Sequence, residues 1–274
     1  MMLFMPAADG FTGKVVVLTG ASSGIGRELA RQLAVARPDL VLAARDEAEL
    51  ESVAASCRAL GANCLVAPTD VADPDACRTL VERAVAAFGG VDVLLLCAGQ
   101  DMWARLDELA DLAVIERILR VNFLGCAWTT AHALRHLKER RGRIVVVSSL
   151  AGLTGVPTRT AYAASKHALH GFFDSLRIEL AGSGVTVTLA CPDFVLSEIH
   201  RRALGPDGKP LGISPMKEER IMTAAQCAAL ILDAAAHRRR LAVLSLRGKV
   251  GRFVRLLAPG LIDWIAARAV ARGH

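Results

Sequence analysis

Residues 15–26 read Val15-Val16-Val17-Leu18-Thr19-Gly20-Ala21-Ser22-Ser23-Gly24-Ile25-Gly26, and a helical pattern from Arg27 to Ala36 follows directly. A short apolar run, a loop with three glycines and then a helix describe a strand that turns sharply into a helix N-terminus. Glycine permits the tight turn and close backbone approach, and the first helical turn offers unpaired N–H groups to a pyrophosphate. A glycine-rich loop alone is weak evidence for a nucleotide site. Between a strand and a helix it is strong, and it makes Gly20, Ser22, Ser23, Gly24, Ile25 and Gly26 candidate cofactor-binding residues.

Outward from this unit, short apolar runs at Leu40–Ala44, Cys64–Ala67, Val93–Leu96, Ile144–Val147 and Val185–Ala190 alternate with helical stretches at 28–48, 73–88, 108–139, 160–182 and 223–236. Alternation of this kind is the pattern of an α/β fold whose parallel sheet is covered on both faces. With 274 residues, 53% of them apolar, one domain over 1–247 can bury its own core, leaving 248–274 as a basic, amphipathic C-terminal extension.

A second cluster carries chemistry. Tyr162-Ala163-Ala164-Ser165-Lys166 places a phenol and an amine one helical turn apart, and Ser149 lies thirteen residues upstream of Tyr162, at the end of an apolar run. A free tyrosine, with a pKa of about 10, shuttles protons poorly near neutrality unless a nearby cation favours its phenolate. Lys166 can supply that cation, and Ser149 sits where open parallel sheets place their ligands.

With these motifs in place, the chain resembles the short-chain dehydrogenase/reductases from about Thr12 to about Leu244. The glycine loop, Asp70-Val71, Cys97-Ala98-Gly99, Asn122, Ser149, Tyr162 and Lys166 occur in that family's order and spacing. The resemblance implies a Rossmann-type, doubly wound sheet of seven parallel strands in the order 3-2-1-4-5-6-7. It also implies catalytic roles: Ser149 binds the substrate oxygen, Tyr162 gives or takes its proton, and Lys166 supports the phenolate and holds the nicotinamide ribose. Asn122 matches an asparagine that interrupts a long helix and holds a water linking the lysine to solvent. Asp70 and Val71 border the adenine, and Pro192, Val195 and Ser197 match the segment passing the nicotinamide, with Ser197 in a threonine's place. Ala98 and Gly99 complete the cofactor contacts. Two positions depart from the family: Cys97 stands for a usual asparagine, and Asp193 for a usual glycine, which puts a carboxylate near the site.

Cofactor choice can be argued physically. The second strand ends at Ala44-Arg45 with no carboxylate placed to accept from a ribose 2′-hydroxyl. Arginine suits a 2′-phosphate, because its planar donors match phosphate oxygens and its charge is permanent. NADP(H) is therefore the expected cofactor, with Ser22 and Ser23 as further phosphate donors.

The seven cysteines form no Cys-x-x-Cys pair and accompany no histidine cluster, which argues against zinc and against a disulfide framework, so no metal site and a reducing, cytoplasmic setting are expected. The opening Met1-Met2-Leu3-Phe4-Met5 stops at Pro6 and reads as neither signal peptide nor membrane span. The Gly/Pro-rich stretch Leu204–Pro215 suggests a substrate lid over 195–222. From His237 onward nine Lys/Arg face one acid, Asp263, so this end carries +8 and the rest −2. Basic residues interleaved with apolar ones there read first as a helical hairpin packed on the body or on another subunit. Peripheral contact with an anionic membrane is the second reading, and nucleic acid is not expected as a partner.

The sequence thus points to an NADP(H)-dependent oxidoreductase interconverting a carbonyl and a secondary alcohol. Met102, Trp103, Leu153, Val156, Phe194, Leu196 and Ile199 are expected around the pocket, favouring a lipophilic steroid-, retinoid- or fatty-chain-like substrate. The alternatives are a non-catalytic NADP(H)-binding sensor and a lipid-surface interaction protein. The resemblance further implies a homodimer or homotetramer assembled through the stretches 108–139 and 160–182.

Overall fold

The computed structural model describes residues 10–214 and 221–271. Its centre is a parallel sheet of seven strands: β1 (Val15–Thr19), β2 (Asp39–Ala44), β3 (Asn63–Pro68), β4 (Val93–Leu96), β5 (Arg143–Val147), β6 (Thr186–Cys191) and β9 (Leu241–Val243). They lie in the order β3-β2-β1-β4-β5-β6-β9, as expected, the last strand being ninth in the chain because a two-stranded ribbon, β7 (Val195–Leu196) with β8 (Met222–Thr223), intervenes.

Side chains along each strand alternate between two cores, as the period of two requires. Val16, Leu18, Leu40, Leu42, Leu95 and Val145 pack on one face against α1 (Gly24–Ala34), α2 (Glu47–Arg58) and α7 (Ala224–Ala236). Val17, Val41, Leu94, Leu96, Ile144 and Val146 pack on the other against α3 (Pro74–Phe88), α5 (Gly125–Glu139) and α6 (Thr160–Glu179). Both faces being buried explains why the strands read as continuous apolar runs. Asp92 stitches the start of β4 to its neighbours. Its carboxylate accepts from the Val15 N–H and pairs with Arg140 and Lys14. Burial pushes this carboxyl up, but those three partners outweigh it and hold Asp92 below the usual range.

Two expected helices are corrected. The stretch 28–48 is not one helix: α1 ends at Ala34, Arg37 takes φ +51°, and β2 begins at Asp39. Pro38 follows Arg37 and cannot donate to a helical ladder. The stretch 108–139 divides into a short 3-10 turn (Leu106–Glu108), α4 (Ala113–Leu119), a π turn (Arg120–Leu124) and α5. The C-terminus forms two further helices, α8 (Leu246–Leu257) and α9 (Pro259–Ala271), which pack on each other. In the expected lid, Leu204 bridges to Met102 and to Pro210, and the Ala110 N–H donates to the Pro206 carbonyl. Residues 215–220 of that segment, like Met1–Met5, lie outside the described residues.

Candidate active site

The loop after β1 folds back on itself at a contact only glycine can make. A Cβ on Gly26 would stand 1.9 Å from the Gly20 carbonyl oxygen, and one on Gly20 would meet the Ala98 amide at 2.7 Å. Ser23, at the N-cap of α1, is extended and makes no side-chain cap bond, so the helix start is left open toward the cavity. Arg27 braces the loop by donating twice to the Ser22 carbonyl, at 3.1 and 3.0 Å. The Thr19 hydroxyl accepts from the amides of both Cys97 and Ala98. It thereby holds the β4 turn in which Cys97 replaces the family's asparagine. Burial pushes the Cys97 thiol up to about 12 against the opposing pull of Lys166, so it stays protonated at neutral pH.

This loop forms one side of a cavity of about 1570 Å³. Ser22, Ser23, Gly24, Ile25 and Arg45 line it, as do Asp70, Val71, Ala98 and Gly99. Arg45 is exposed. Its neighbour Asp46 also lines the cavity, and one of its oxygens caps α2 by accepting from the Glu49 N–H at 3.0 Å. Pro192, Val195 and Ser197 also line the cavity, and Ser197 sits against the glycine loop, 3.1 Å from where a Gly24 Cβ would be.

Ser149, Tyr162 and Lys166 meet in this cavity. Ser149 begins a 3-10 turn and its hydroxyl oxygen accepts from the Ala151 N–H at 3.1 Å, which leaves its own proton to donate elsewhere. Tyr162 and Lys166 share one face of α6, with the amine nitrogen 5.5 Å from the phenol ring centre. Lys166 also donates to the Val147 carbonyl at 3.0 Å, which fixes the amine beneath the end of β5. Asn122 does not line the cavity. Fully buried in the π turn, it accepts from the Gln100 N–H, donates to the Gln100 carbonyl and donates to Ser165. It thus joins the helix break to the β4 loop and to α6, while Gly99 lies between it and Lys166.

Of the residues expected around the pocket, Trp103, Leu153, Val156, Phe194 and Ile199 line it. Met102 is instead core, 0% exposed, and Leu196 turns outward at 40% exposure. Asp193 is committed to structure: it accepts from Ser245 at 2.9 Å and from the Phe194 N–H, and it pairs with Arg247. A polar cluster not anticipated from the sequence lies beside Tyr162. The buried Arg159 pairs with the buried Asp101 at 3.1 Å and stacks 4.3 Å from Trp103 and 5.1 Å from Phe194, while His200 lies 3.8 Å from the same carboxylate. No local motif marks these residues, because they come from three loops distant in sequence.

The family profile described as short chain dehydrogenase matches residues 14–205. The chain is 34% identical over 264 residues to the 11-beta-hydroxysteroid dehydrogenase 1A of Arabidopsis thaliana, covering 94% of this chain and 75% of that protein. It is 38% identical over 228 residues to the human dehydrogenase/reductase SDR family member 7, covering 81% of this chain and 67% of the other. A crystal structure of a short chain dehydrogenase/reductase from Burkholderia phymatum in complex with NAD superimposes with a TM-score of 0.81 at 28% identity, over 92% of this chain and 96% of that one. The chain belongs to the short-chain dehydrogenase/reductases, and it is an oxidoreductase of that family.

Proposed function

We propose that the protein is an NADP(H)-dependent oxidoreductase that interconverts a carbonyl and a secondary alcohol on a bulky lipophilic, steroid-like substrate. The observation that carries this reading is the meeting of Ser149, Tyr162 and Lys166 in one cavity that the glycine loop and the apolar Trp103, Leu153, Val156 and Phe194 also line. The names of the plant relatives point the same way as to substrate.

The residues present fit a nicotinamide dinucleotide, since the backbone cradle at Gly20 and Gly26 is closed to any Cβ and the start of α1 faces the cavity. The bound cofactor supplies or accepts the hydride. Ser149 donates a hydrogen bond to the substrate oxygen, and Tyr162 protonates that oxygen in reduction or takes its proton in oxidation. Lys166 places a positive charge beside the phenol and would hold the ribose hydroxyls of a bound cofactor, while Asn122 fixes the β4 loop against α6. Arg45 favours NADP(H), because it lines the cavity and offers a permanent cation at the end of β2.

The test is oxidation of NADPH, with NADH in parallel, across ketones of graded size and polarity. Turnover with apolar ketones is expected to exceed that with small polar ones, and Tyr162→Phe to lower kcat by about 10²–10⁴-fold, the usual worth of a positioned proton donor. Arg45→Ala is expected to weaken NADPH by about 10–100-fold while barely moving NADH, the range set by one lost charged hydrogen-bond pair. NADPH binding without turnover in either direction would instead favour a redox sensor.

A further inference from the structure

The α8–α9 hairpin is amphipathic in the reverse of the usual sense. A surface helix ordinarily turns its apolar stripe inward. On α8 it is Arg247, Gly248, Gly251 and Arg252 that face the cavity. Leu246, Val250, Phe253 and Leu257, spaced i, i+4, i+7 and i+11 and hence on one stripe, stand 54% to 88% exposed. The inward orientation is fixed by named contacts. Gly248 packs so closely on Leu150 that a Cβ would meet it at 2.5 Å, Arg247 is tied to Asp193, and Arg255 donates to the Leu153 carbonyl. On α9, Ile262, Ile265 and Ala266 line the cavity while Leu261 and Trp264 remain about half exposed. Of the fifteen large apolar side chains exposed among the described residues, seven lie between Leu246 and Trp264 outside the cavity lining, a concentration that marks a surface made to be covered.

We propose that this face docks on a bilayer surface bearing anionic headgroups. Charge selects that occupant. With Arg247 paired to Asp193 and Arg255 turned to the Leu153 carbonyl, the exposed cations bordering this face are Lys249, Arg252 and Arg268, against the single acid Asp263 of residues 246–271, so a second copy meeting the same face would oppose cation to cation. A lipid surface instead offers hydrocarbon to the stripe and negative charge to its flanks. Trp264, with the Arg268 guanidinium 3.9 Å over its ring, is the kind of amphipathic pair that settles at headgroup depth. Helices of 12 and 13 residues lie on a bilayer rather than cross it, and no helix among the described residues is long and apolar enough to cross one. Because the same hairpin walls the cavity, docking sets that wall at the lipid interface, where an apolar substrate is concentrated. This last consequence rests on the proposed activity; the docking itself does not.

The experiment is flotation of the full chain with vesicles of phosphatidylcholine alone or with added phosphatidylserine, at low and high salt. The protein is expected to float with the phosphatidylserine vesicles, to be released by salt, and to lose at least about ten-fold in partitioning in Phe253→Ser/Leu257→Ser. Neither residue lines the cavity, so circular dichroism and NADPH binding are expected to be unchanged in that variant. Partitioning that ignores phosphatidylserine, or that survives the double substitution, would overturn the proposal. So would a dimer that the same substitution converts to monomer, since a second copy would then be the occupant. The readout needs no turnover, and therefore fails separately from the assignment of the reaction.

Discussion

At the scale of single residues, the group most dependent on its neighbours is Arg159. It is a buried cation whose Nε and Nη2 atoms have no aligned hydrogen-bond partner, with Asp101 as its counter-ion and three aromatic rings around it. Breaking a buried pair by neutralising one member leaves an uncompensated charge, which costs about 3–5 kcal/mol, whereas replacing both by apolar groups is often tolerated. Asp101→Asn is therefore expected to lower the unfolding free energy by about 3–5 kcal/mol, and Asp101→Asn/Arg159→Met to recover much of it. Urea denaturation of the two variants decides the matter, and equal losses in both would mean that the pair is not what stabilises this corner. The contrast with Tyr162 and Lys166 shows what a sequence can reveal. Those two share a helix, so their spacing alone predicts their shared face. Asp101, Arg159 and His200 come together only through the paths of three loops, and nothing local in any of them announces the other two.

At the scale of elements, the loop that presents Ser149 is held from behind by α6. His170 bridges the hydroxyl of Ser148 at 3.1 Å and the thiol of Cys191 at 3.6 Å, joining the ends of β5 and β6. Burial lowers its proton affinity, with Asp174 opposing and His167, Arg177 and Lys166 adding to the effect. The native state therefore keeps this ring neutral at a pH where the unfolded chain, titrating near 6.5, has begun to charge it. Since the unfolded state binds more protons there, stability falls as pH drops below about 6.5 and levels off beneath the native value. Stability measured in urea between about pH 7.5 and pH 5 is expected to decline in the wild type and to lose much of that slope in His170→Gln. An unaltered slope would place the proton uptake at another group. The strands were legible because burial on both faces leaves them as unbroken apolar runs. The helices were less so, since apolar spacing continues across positions where the backbone must break. Arg37 and Pro38 end one such run, and at Asn122 a π turn diverts another to bring a buried amide to Gln100 and Ser165.

For the whole molecule, the matched family region ends at residue 205, yet part of the cavity wall lies beyond it. Residues of α8 and α9 line the cavity, and Asp193 fastens them there by accepting from Ser245, the N-cap of α8, and pairing with Arg247. At the level of sequence Asp193 was visible only as a departure from the family, with no indication of its partners, because both lie more than fifty residues further along. Its position ties the C-terminal hairpin to the loop after β6, so that the cavity wall extends past the profile-matched region. Asp193→Ala removes the fastening without touching Ser149, Tyr162, Lys166 or the glycine loop. The loss of a partly buried charged hydrogen-bond set, about 1.5–3 kcal/mol, is expected to appear as a KM for bulky apolar ketones raised by about ten-fold or more. The kcat/KM for a small ketone, which does not need the far wall, should stay within about two-fold, and NADPH affinity should not change. Steady-state kinetics on one large and one small ketone make the comparison. If both substrates suffer equally, Asp193 acts through the loop that carries Ser149, and the hairpin is not what selects the substrate.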